Sequence, residues 1–235
     1  METPRPMKRS TVNQSIERAM QTFAAHGLHL PPFAFWTPED WSGKGSEADE
    51  IRDCMLGWDV TDFGRGQFEL YGRTLFTLRN GKGEGRYPKS YAEKFILDPP
   101  GQRAPLHFHH SKREDIINRG KSGVIVVEVR LADEEGNPSG QPFTLQVDGV
   151  THRFESGPVR IRLNPGQSVC LPPRIMHQFW GEEGNGIAVS GEVSSVCDDC
   201  GDNFFHGPPV ARFPHLDEDE PVRYYLCHEY PTATP

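Results

Sequence analysis

Two histidines and a glutamate within residues 101–120, GQRAPLHFHHSKREDIINRG, have the types and spacing of metal ligands. His107 and His109 are two residues apart, so on a β-strand both imidazoles leave the same face. Glu114 follows at an odd spacing, so the chain must turn just after His110 before the carboxylate can return towards the histidines on a neighbouring strand. Imidazoles and a carboxylate together suit a borderline divalent metal ion.

A fourth ligand is expected far downstream of this stretch. His177 lies in GQSVCLPPRIMHQFW, just after a strand and a Pro-Pro turn, and is the best candidate. The competing interpretation is that these histidines are ordinary polar residues on a strand surface, because an isolated His-x-His motif has low specificity. The two-part pattern, with a glutamate after the first pair and a separate strand, turn and histidine, favours the metal site.

Three further residues have side chains that can move a proton beside such a site. Lys112 lies in the turn between the ligands and is the predicted acid; the alternative is a solvated turn lysine. Glu192 shares one strand face with Ser190 and Ser194, and that polar face borders either the pocket or solvent. Glu218 lies in HLDEDEP, an acidic run of a kind that is usually solvated surface. Glu192 and Glu218 are equal candidates for the base.

The elements that must position these side chains are short strands separated by turns. A helix is predicted over 13–26, capped by Thr11 or Asn13, followed by an aromatic-rich covering segment and a short helix over 49–56. Strands are predicted over 68–72, 74–78, 91–97, 122–131, 143–147, 150–154, 159–163, 168–171, 186–196 and 222–228. Two tight hairpins are expected, over 143–154 and 159–171. The pattern predicts one all-β domain, 1–235, with 1–65 as helix and cover and 66–230 as a jelly-roll barrel.

Composition narrows the functional class. The chain has 235 residues and a formal charge of −8, which argues against nucleic acid or an anionic membrane as the main partner. No apolar run approaches the ~20 residues of a membrane helix, and no signal peptide is visible. Five cysteines without a regular framework indicate reduced thiols and a cytoplasmic location.

Longer stretches resemble a known family. Gly101-x5-His107-x-His109-x4-Glu114 resembles the first cupin motif, and Gly166-x5-Pro172-x4-His177 resembles the second. Five longer segments resemble the D-lyxose ketol-isomerase family: LHLPPFAFWTPEDW (28–41), DEIRDCMLGWDVTDFG (49–64), HFHHSKREDIINRG (107–120), GEVSSVCDDCGDN (191–203) and ARFPHLDEDEP (211–221). Together they extend this resemblance over nearly the whole chain.

The resemblance implies a cupin fold, a double-stranded β-helix, with an N-terminal helical and aromatic extension. It implies a metal-dependent isomerase that interconverts D-lyxose and D-xylulose, and also D-mannose and D-fructose. It further implies Mn²⁺ as the preferred ion, although Co²⁺, Ni²⁺, Fe²⁺ and Zn²⁺ fit the same ligands, and a homodimer. In the matching C-terminal region, Asp202 and Arg212 are expected to bind sugar hydroxyls, and a loop is expected to bring one acid, Glu218 or Glu220, to the pocket mouth.

The expected chemistry is proton transfer between C1 and C2 through a cis-enediol, with sugar O1 and O2 filling the open positions of a metal held by His107, His109, Glu114 and His177. A metal-assisted hydride shift is the alternative mechanism. Two other functions use the same ligands: an Fe²⁺-dependent cupin oxygenase and a non-catalytic sugar-binding cupin. A phosphorylated sugar is disfavoured, because no glycine-rich phosphate loop is present.

Overall fold

The computed structural model describes residues 5–198 and 201–233. Its α-helices in these ranges are α1 Arg9–Ala25, α2 Pro38–Ser42 and α3 Asp49–Asp53. The strands in these ranges are β1 Met7–Lys8, β2 Gly57–Thr61, β3 Arg73–Arg79, β4 Tyr91–Asp98, β5 His107–His109, β6 Glu114–Asn118, β7 Ile125–Leu131, β8 Phe143–Val147, β9 Val150–Phe154, β10 Val159–Leu163, β11 Ser168–Leu171, β12 Ile175–Gly181, β13 Ala188–Ser195, β14 Asn203–Phe205 and β15 Leu216–Asp217.

Two antiparallel sheets form the body of the fold. The larger sheet has eight strands in the order β2-β3-β4-β13-β6-β11-β8-β9, and the smaller has five in the order β10-β7-β12-β5-β14. Apolar side chains from both sheets meet in one buried cluster, including Ile96 and Ile116 from the larger sheet and Val127 and Phe179 from the smaller. The all-β cupin-type prediction is therefore confirmed, with the strands divided between two facing sheets rather than closed into a single barrel.

Helix α1 covers the outer face of the eight-stranded sheet. Its residues Val12, Ile16, Ala19 and Phe23 recur at helical spacing and have no exposed surface. They pack against a cluster that contains Trp58 from β2. Burial of each larger apolar side chain contributes about 1.5–3 kcal/mol, which explains why this face of the sheet is apolar.

The start of α1 differs from the prediction. The helix begins at Arg9, and Lys8 occupies the N-cap position without a side-chain cap. The guanidinium of Arg9 binds the carboxylates of Glu218 and Glu229 at 2.8 and 2.6 Å, so long-range ion pairs hold this end in place of a cap. Among the described residues, no helix is long and apolar enough to cross a membrane.

Two predicted strands and one predicted hairpin are absent, and one strand lies where only cover was predicted; backbone contacts explain each difference. The first sheet strand begins at Gly57, inside the predicted cover, because β2 pairs with β3. Residues 68–72 form a turn in which Leu70 and Tyr71 both donate their N–H groups to Gln67 O. The expected 159–171 hairpin is absent, because β10 pairs with β7 while β11 pairs with β6 and β8. Residues 222–228 meet the sheet only through a bridge at Leu226.

Candidate active site

A cavity of about 520 Å³, including its mouth, lies between the two sheets. Its polar lining comes from both sheets and from the turn between β5 and β6. Its apolar lining includes Phe63, from the aromatic segment, and Phe205, on β14. The ring centroid of Phe205 lies 5.8 Å from that of Phe63 and 5.2 Å from that of His107. The two phenylalanines thus form an aromatic wall beside the histidines.

Three histidines converge on this cavity from the five-stranded sheet. His107 on β5 lies directly opposite His177 on β12 in the strand register. His109 lies two residues further along β5, on the same face as His107. One ring nitrogen from each of the three histidines lies within 4.8 Å of the other two, a spacing that allows all three to bind one ion.

The backbone fixes the orientation of two of these rings. His107 Nδ1 lies 2.8 Å from Pro105 O, and His177 Nδ1 lies 2.9 Å from Ile175 O. A neutral imidazole that donates from Nδ1 carries its lone pair on Nε2, and a metal-binding histidine is oriented in the same way. Burial, followed by the neighbouring histidines, lowers the pKa of His107 well below its ordinary value, so this ring is neutral.

Glu114 reaches the histidines from the opposite sheet. Strands β5 and β6 belong to different sheets, so the turn after His110 carries the chain across the cavity. The predicted turn is present and Glu114 meets the histidines, but the strand on which it returns lies in the opposite sheet. Its Oε1 lies 2.8 Å from Nε2 of His177 and 3.5 Å from Nε2 of His109.

The donor atoms of these four residues fit a divalent cation. Glu114 Oε1 and both ring nitrogens of His109 are buried and, among the described residues, have no hydrogen-bond partner. Nε2 of His177 lies 2.8 Å from Glu114 Oε1, close enough for both atoms to bind one cation. Burial lowers the pKa of His109 and keeps it available as a neutral ligand. Three imidazoles and a carboxylate accept several first-row divalent ions and do not select one.

Lys112 bridges the ligand set and a second carboxylate. The side chain is buried, which excludes the solvated-turn alternative. Its Nζ lies 2.6 Å from Glu114 Oε2 and 2.8 Å from Glu192 Oε1. Burial alone lowers the pKa of Lys112, but Glu114 and Glu192 outweigh that effect and raise it. Lys112 is therefore an ammonium that binds both carboxylates.

Glu192 lies on the inner face of β13. Ser190, Glu192 and Ser194 are all buried, whereas Val193, on the opposite face, is 38% exposed. The polar face of this strand therefore borders the cavity and not the solvent. Burial raises the pKa of Glu192, but Lys112 and then Lys94 lower it to below its ordinary value. Glu192 is thus an ionised carboxylate at the cavity wall.

The three C-terminal candidates have different positions. Arg212 lines the cavity and pairs with Asp59. Asp202 instead accepts hydrogen bonds from the backbone N–H groups of Ser111 and Lys112, both at 2.8 Å; it orders the turn that carries Lys112. Glu218 is 54% exposed, binds Arg9 and is not part of the cavity lining. The loop that was expected to bring Glu218 to the pocket mouth does not do so.

Two buried cations of the cavity escaped the sequence reasoning. Lys94 on β4 lies with its Nζ 3.4 Å from Glu192 Oε1. Arg73 on β3 pairs with Asp98 at 3.2 Å and donates to Phe179 O at 2.7 Å. Charged residues are almost never fully buried without a partner. A lysine within the predicted strand YAEKFILD therefore could have indicated a buried carboxylate beside it.

Comparison with known proteins identifies a close set of relatives. Residues 7–230 match the family model described as D-lyxose isomerase. The chain is 46% identical over 226 residues to a D-lyxose/D-mannose isomerase of Escherichia coli O157:H7, an alignment covering 95% of this chain and 98% of that one. It is 30% identical over 169 residues to a protein of the same name from Thermosediminibacter oceani, covering 68% and 82% of the two chains.

Solved structures with the same fold are more distant in sequence. L-ribose isomerase of Acinetobacter sp. DL28, as a mutant in complex with L-ribose, superposes with a TM-score of 0.58 at 14% identity and covers 92% of this chain and 99% of its own. L-ribose isomerase of Cellulomonas parahominis with L-ribose gives the same TM-score at 15% identity, with the same coverage. At this level of identity the likeness shows a shared fold.

Proposed function

Because this chain belongs to the D-lyxose isomerase family, we propose that it is an aldose–ketose isomerase that interconverts D-lyxose with D-xylulose and D-mannose with D-fructose. The substrates follow from relatives named D-lyxose/D-mannose isomerase that align with 95% of the chain. A neutral monosaccharide is also compatible with the net charge of −8, since a field of either sign exerts no net force on it.

One observation carries the proposal for the site. A Lys112 ammonium joins Glu114, beside three histidines, to Glu192, with Nζ–O distances of 2.6 and 2.8 Å. Isomerisation needs a cation near the sugar oxygens and an acid–base pair near C1 and C2. A single connected group of residues contains both requirements.

Each residue of the site would have a separate role in the reaction. A divalent cation, held by His107, His109, His177 and Glu114, supplies Lewis-acid polarisation of the substrate carbonyl when it is bound. Glu192 accepts the proton from C2 of the aldose and delivers it to C1 of the ketose. Lys112 donates a proton to O1 and recovers one from O2, so that its charge is restored after each turnover. Arg212, at the cavity wall, binds a sugar hydroxyl; Asp202 supports the turn behind Lys112.

Three finer features belong to the same proposal. Manganese is the proposed ion, on family resemblance, and a homodimer is the proposed assembly on the same ground. A cytoplasmic location is supported by the low cysteine content and by Cys54 and Cys170, which form no disulfide in the described part of the chain.

The first test is an isomerisation assay on D-lyxose with protein stripped by a chelator and then reloaded with Mn²⁺. Activity that disappears and returns supports the proposal. Metal-loaded protein that leaves both D-lyxose and D-mannose unchanged refutes it. In that case, oxygen uptake with Fe²⁺ would identify an oxygenase, and sugar binding without turnover would identify a binding protein.

A second assay in D₂O separates the two mechanisms. A proton held on the Glu192 carboxyl exchanges with solvent in a fraction of turnovers, so part of the product acquires carbon-bound deuterium at C1 or C2. A hydride shift retains the original hydrogen in every turnover. Product that carries no solvent deuterium even after many turnovers would count against the acid–base role proposed for Glu192.

A further inference from the structure

Lys94 lies directly opposite Glu192 in the register between β4 and β13. Only 4% of its surface is exposed, and its Nζ is 3.4 Å from Glu192 Oε1. Removing an ammonium from water costs several kcal/mol unless opposite charge and hydrogen bonds compensate for it. A buried lysine at the cavity wall therefore requires a specific explanation.

The ammonium of Lys94 has a second partner in the loop that follows β13. Its Nζ donates a hydrogen bond to Cys197 Sγ at 2.8 Å. The backbone of Cys197 is itself held by one side chain, because Asn80 accepts from its N–H at 3.0 Å and donates to its carbonyl at 2.9 Å. This loop therefore contributes to the position of Lys94.

The two oxygens of Glu192 have different surroundings. Oε1 is contacted by Nζ of Lys112 at 2.8 Å, by Oγ of Ser194 at 3.3 Å and by Nζ of Lys94 at 3.4 Å. Within residues 5–198 and 201–233, these polar contacts reach Oε1 and not Oε2. Two ammonium groups therefore bind one oxygen, Lys112 through a hydrogen bond and Lys94 as an ion pair, while the other oxygen is left at the cavity wall.

Sheet order explains why two lysines are needed. Strand β13 lies between β4 and β6 in the larger sheet. Lys112 approaches Glu192 from the β6 side, where it also binds Glu114, and Lys94 approaches from the β4 side. Lys112 alone would draw the carboxylate towards Glu114. A second cation on the opposite flank balances that attraction and fixes the side-chain torsion.

We propose that Lys94 is a positioning residue for the isomerisation: anchored by Cys197, it holds Glu192 Oε1 so that Oε2 faces the carbon atoms that exchange the proton. This inference rests on the proposed function, since it assigns a role within the same site. It adds a residue that acts through the proposed base.

The test compares Lys94→Met with Lys94→Arg and with Lys82→Met. Lys82 is an exposed lysine on the cavity behind Lys94 and has no contact with Glu192, so it controls for loss of a nearby charge. A misplaced base lowers kcat by about 10–100-fold. We expect that loss in Lys94→Met, with KM for D-lyxose within about twofold and metal content unchanged. Lys94→Arg should recover part of kcat, and Lys82→Met should match the wild type.

A kcat for Lys94→Met within about threefold of the wild type would overturn the proposal. So would a loss in which KM rises by the same factor, or in which metal is lost, because either result indicates general damage to the site. Cys197→Ala serves as a second variant, which removes the sulfur acceptor of Lys94 without touching Glu192. It should lower kcat by less than Lys94→Met does, and an unchanged kcat would count against the anchor.

The contact between Lys94 and Cys197 can also be tested without turnover, on metal-free protein. An adjacent ammonium stabilises a thiolate, which is the form that reacts with iodoacetamide. Alkylation of Cys197, followed by peptide mass spectrometry, should slow in Lys94→Met and remain unchanged in Lys82→Met. Equal rates would show that Lys94 does not bind Cys197. If the wild type does not isomerise sugar, the proposed function fails and the catalytic role of Lys94 fails with it; slowed alkylation would still establish the Lys94–Cys197 contact.

Discussion

The two inner sheet faces that meet at the cavity differ in charge. The five-stranded sheet presents three imidazoles. Two of them, His107 and His177, form a hydrogen bond through Nδ1 to the backbone carbonyl two residues earlier in the chain. The eight-stranded sheet presents Lys94, Glu114 and Glu192, whose partners lie on other strands or in the β5–β6 turn. One face presents imidazoles, spaced as metal ligands, that are oriented by the nearby backbone, and the other face depends on a long-range network of charges.

Because of this difference in charge, substitutions on the two faces should have different consequences. A neutral histidine can be removed from its face without leaving a buried charge behind, so the main loss is metal affinity. A charge removed from the opposite face leaves its partner buried and uncompensated, which costs about 3–5 kcal/mol. Substitutions on the two faces should therefore separate metal retention, turnover and stability.

The largest effect is expected on the histidine face, for His177→Ala. Loss of this ligand should abolish metal retention and reduce isomerisation to background, because three donors remain and the carboxylate loses its nearest nitrogen. Metal content after gel filtration and activity with excess Mn²⁺ measure both quantities. His152→Ala, at an exposed histidine on β9, is the control. A His177→Ala protein that keeps stoichiometric metal would contradict the ligand assignment.

On the charged face, Glu192→Gln should lower kcat by about 10²–10⁴-fold, the range for loss of a general base, and should retain metal. Glu218→Gln should keep wild-type activity, because that carboxylate binds Arg9 outside the cavity. Steady-state kinetics on D-lyxose and metal analysis separate these outcomes. If Glu218→Gln were the inactive variant, the base assignment would have to be reversed.

Stability should be most sensitive at Asp98→Ala, deeper in the larger sheet. Asp98 is fully buried and pairs with Arg73, so its removal leaves a guanidinium without a counter-ion. We expect a loss of about 3–5 kcal/mol in the free energy of unfolding, measured by urea denaturation. Glu155→Ala breaks the exposed pair with Arg153 and should cost less than about 1 kcal/mol. Equal losses of unfolding free energy in the two variants would mean that burial does not determine how much an ion pair contributes to stability.

The same carboxyl group predicts a pH effect on stability. Burial raises the pKa of Asp98 to about 6, against the lowering effect of Arg73 and Ser190; the ordinary value is about 3.9. The folded protein therefore binds this proton more readily than the unfolded chain. The resulting stabilisation is complete below about pH 4 and is lost as pH rises through about 6.

Asp98→Asn removes that titration and provides the comparison. The stability of the wild type relative to Asp98→Asn should fall between pH 4.5 and 7, as measured by urea denaturation at each pH. A difference that is constant across this range would show that Asp98 has the same pKa in the folded and unfolded states.

The smallest effect is expected for Asp202→Ala, just before β14, whose carboxylate supports the β5–β6 turn. Its carboxylate orders Ser111 and Lys112 through backbone hydrogen bonds, each worth about 1.5–3 kcal/mol when the acceptor is charged. We expect a fall in kcat of about tenfold, with little change in KM. A rise in KM at constant kcat would instead support the direct sugar contact that the sequence suggested.

The local features of the molecule were predictable from the sequence. The stripe of Ile16, Ala19 and Phe23 identified the covering helix, and the Asp148-Gly149 turn identified the β8–β9 hairpin. The spacing of His107 and His109 placed both rings on one face. Each of these inferences uses contacts between residues close in the chain, where helix and strand geometry leave few alternatives.

The sequence by itself therefore determined the strand-rich fold, the histidine pair and its glutamate, and the polar face of β13. The tertiary structure alone decided that Glu114 lies on the opposite sheet and that Glu218 forms an ion pair with Arg9. It also decided that Lys94 and Lys112 lie on either side of Glu192. The contact between Lys112 and Glu192 joins residues 80 positions apart. Such pairings depend on the order of strands in the sheets, and the alternation of side chains along one strand carries no information about which strand lies beside it.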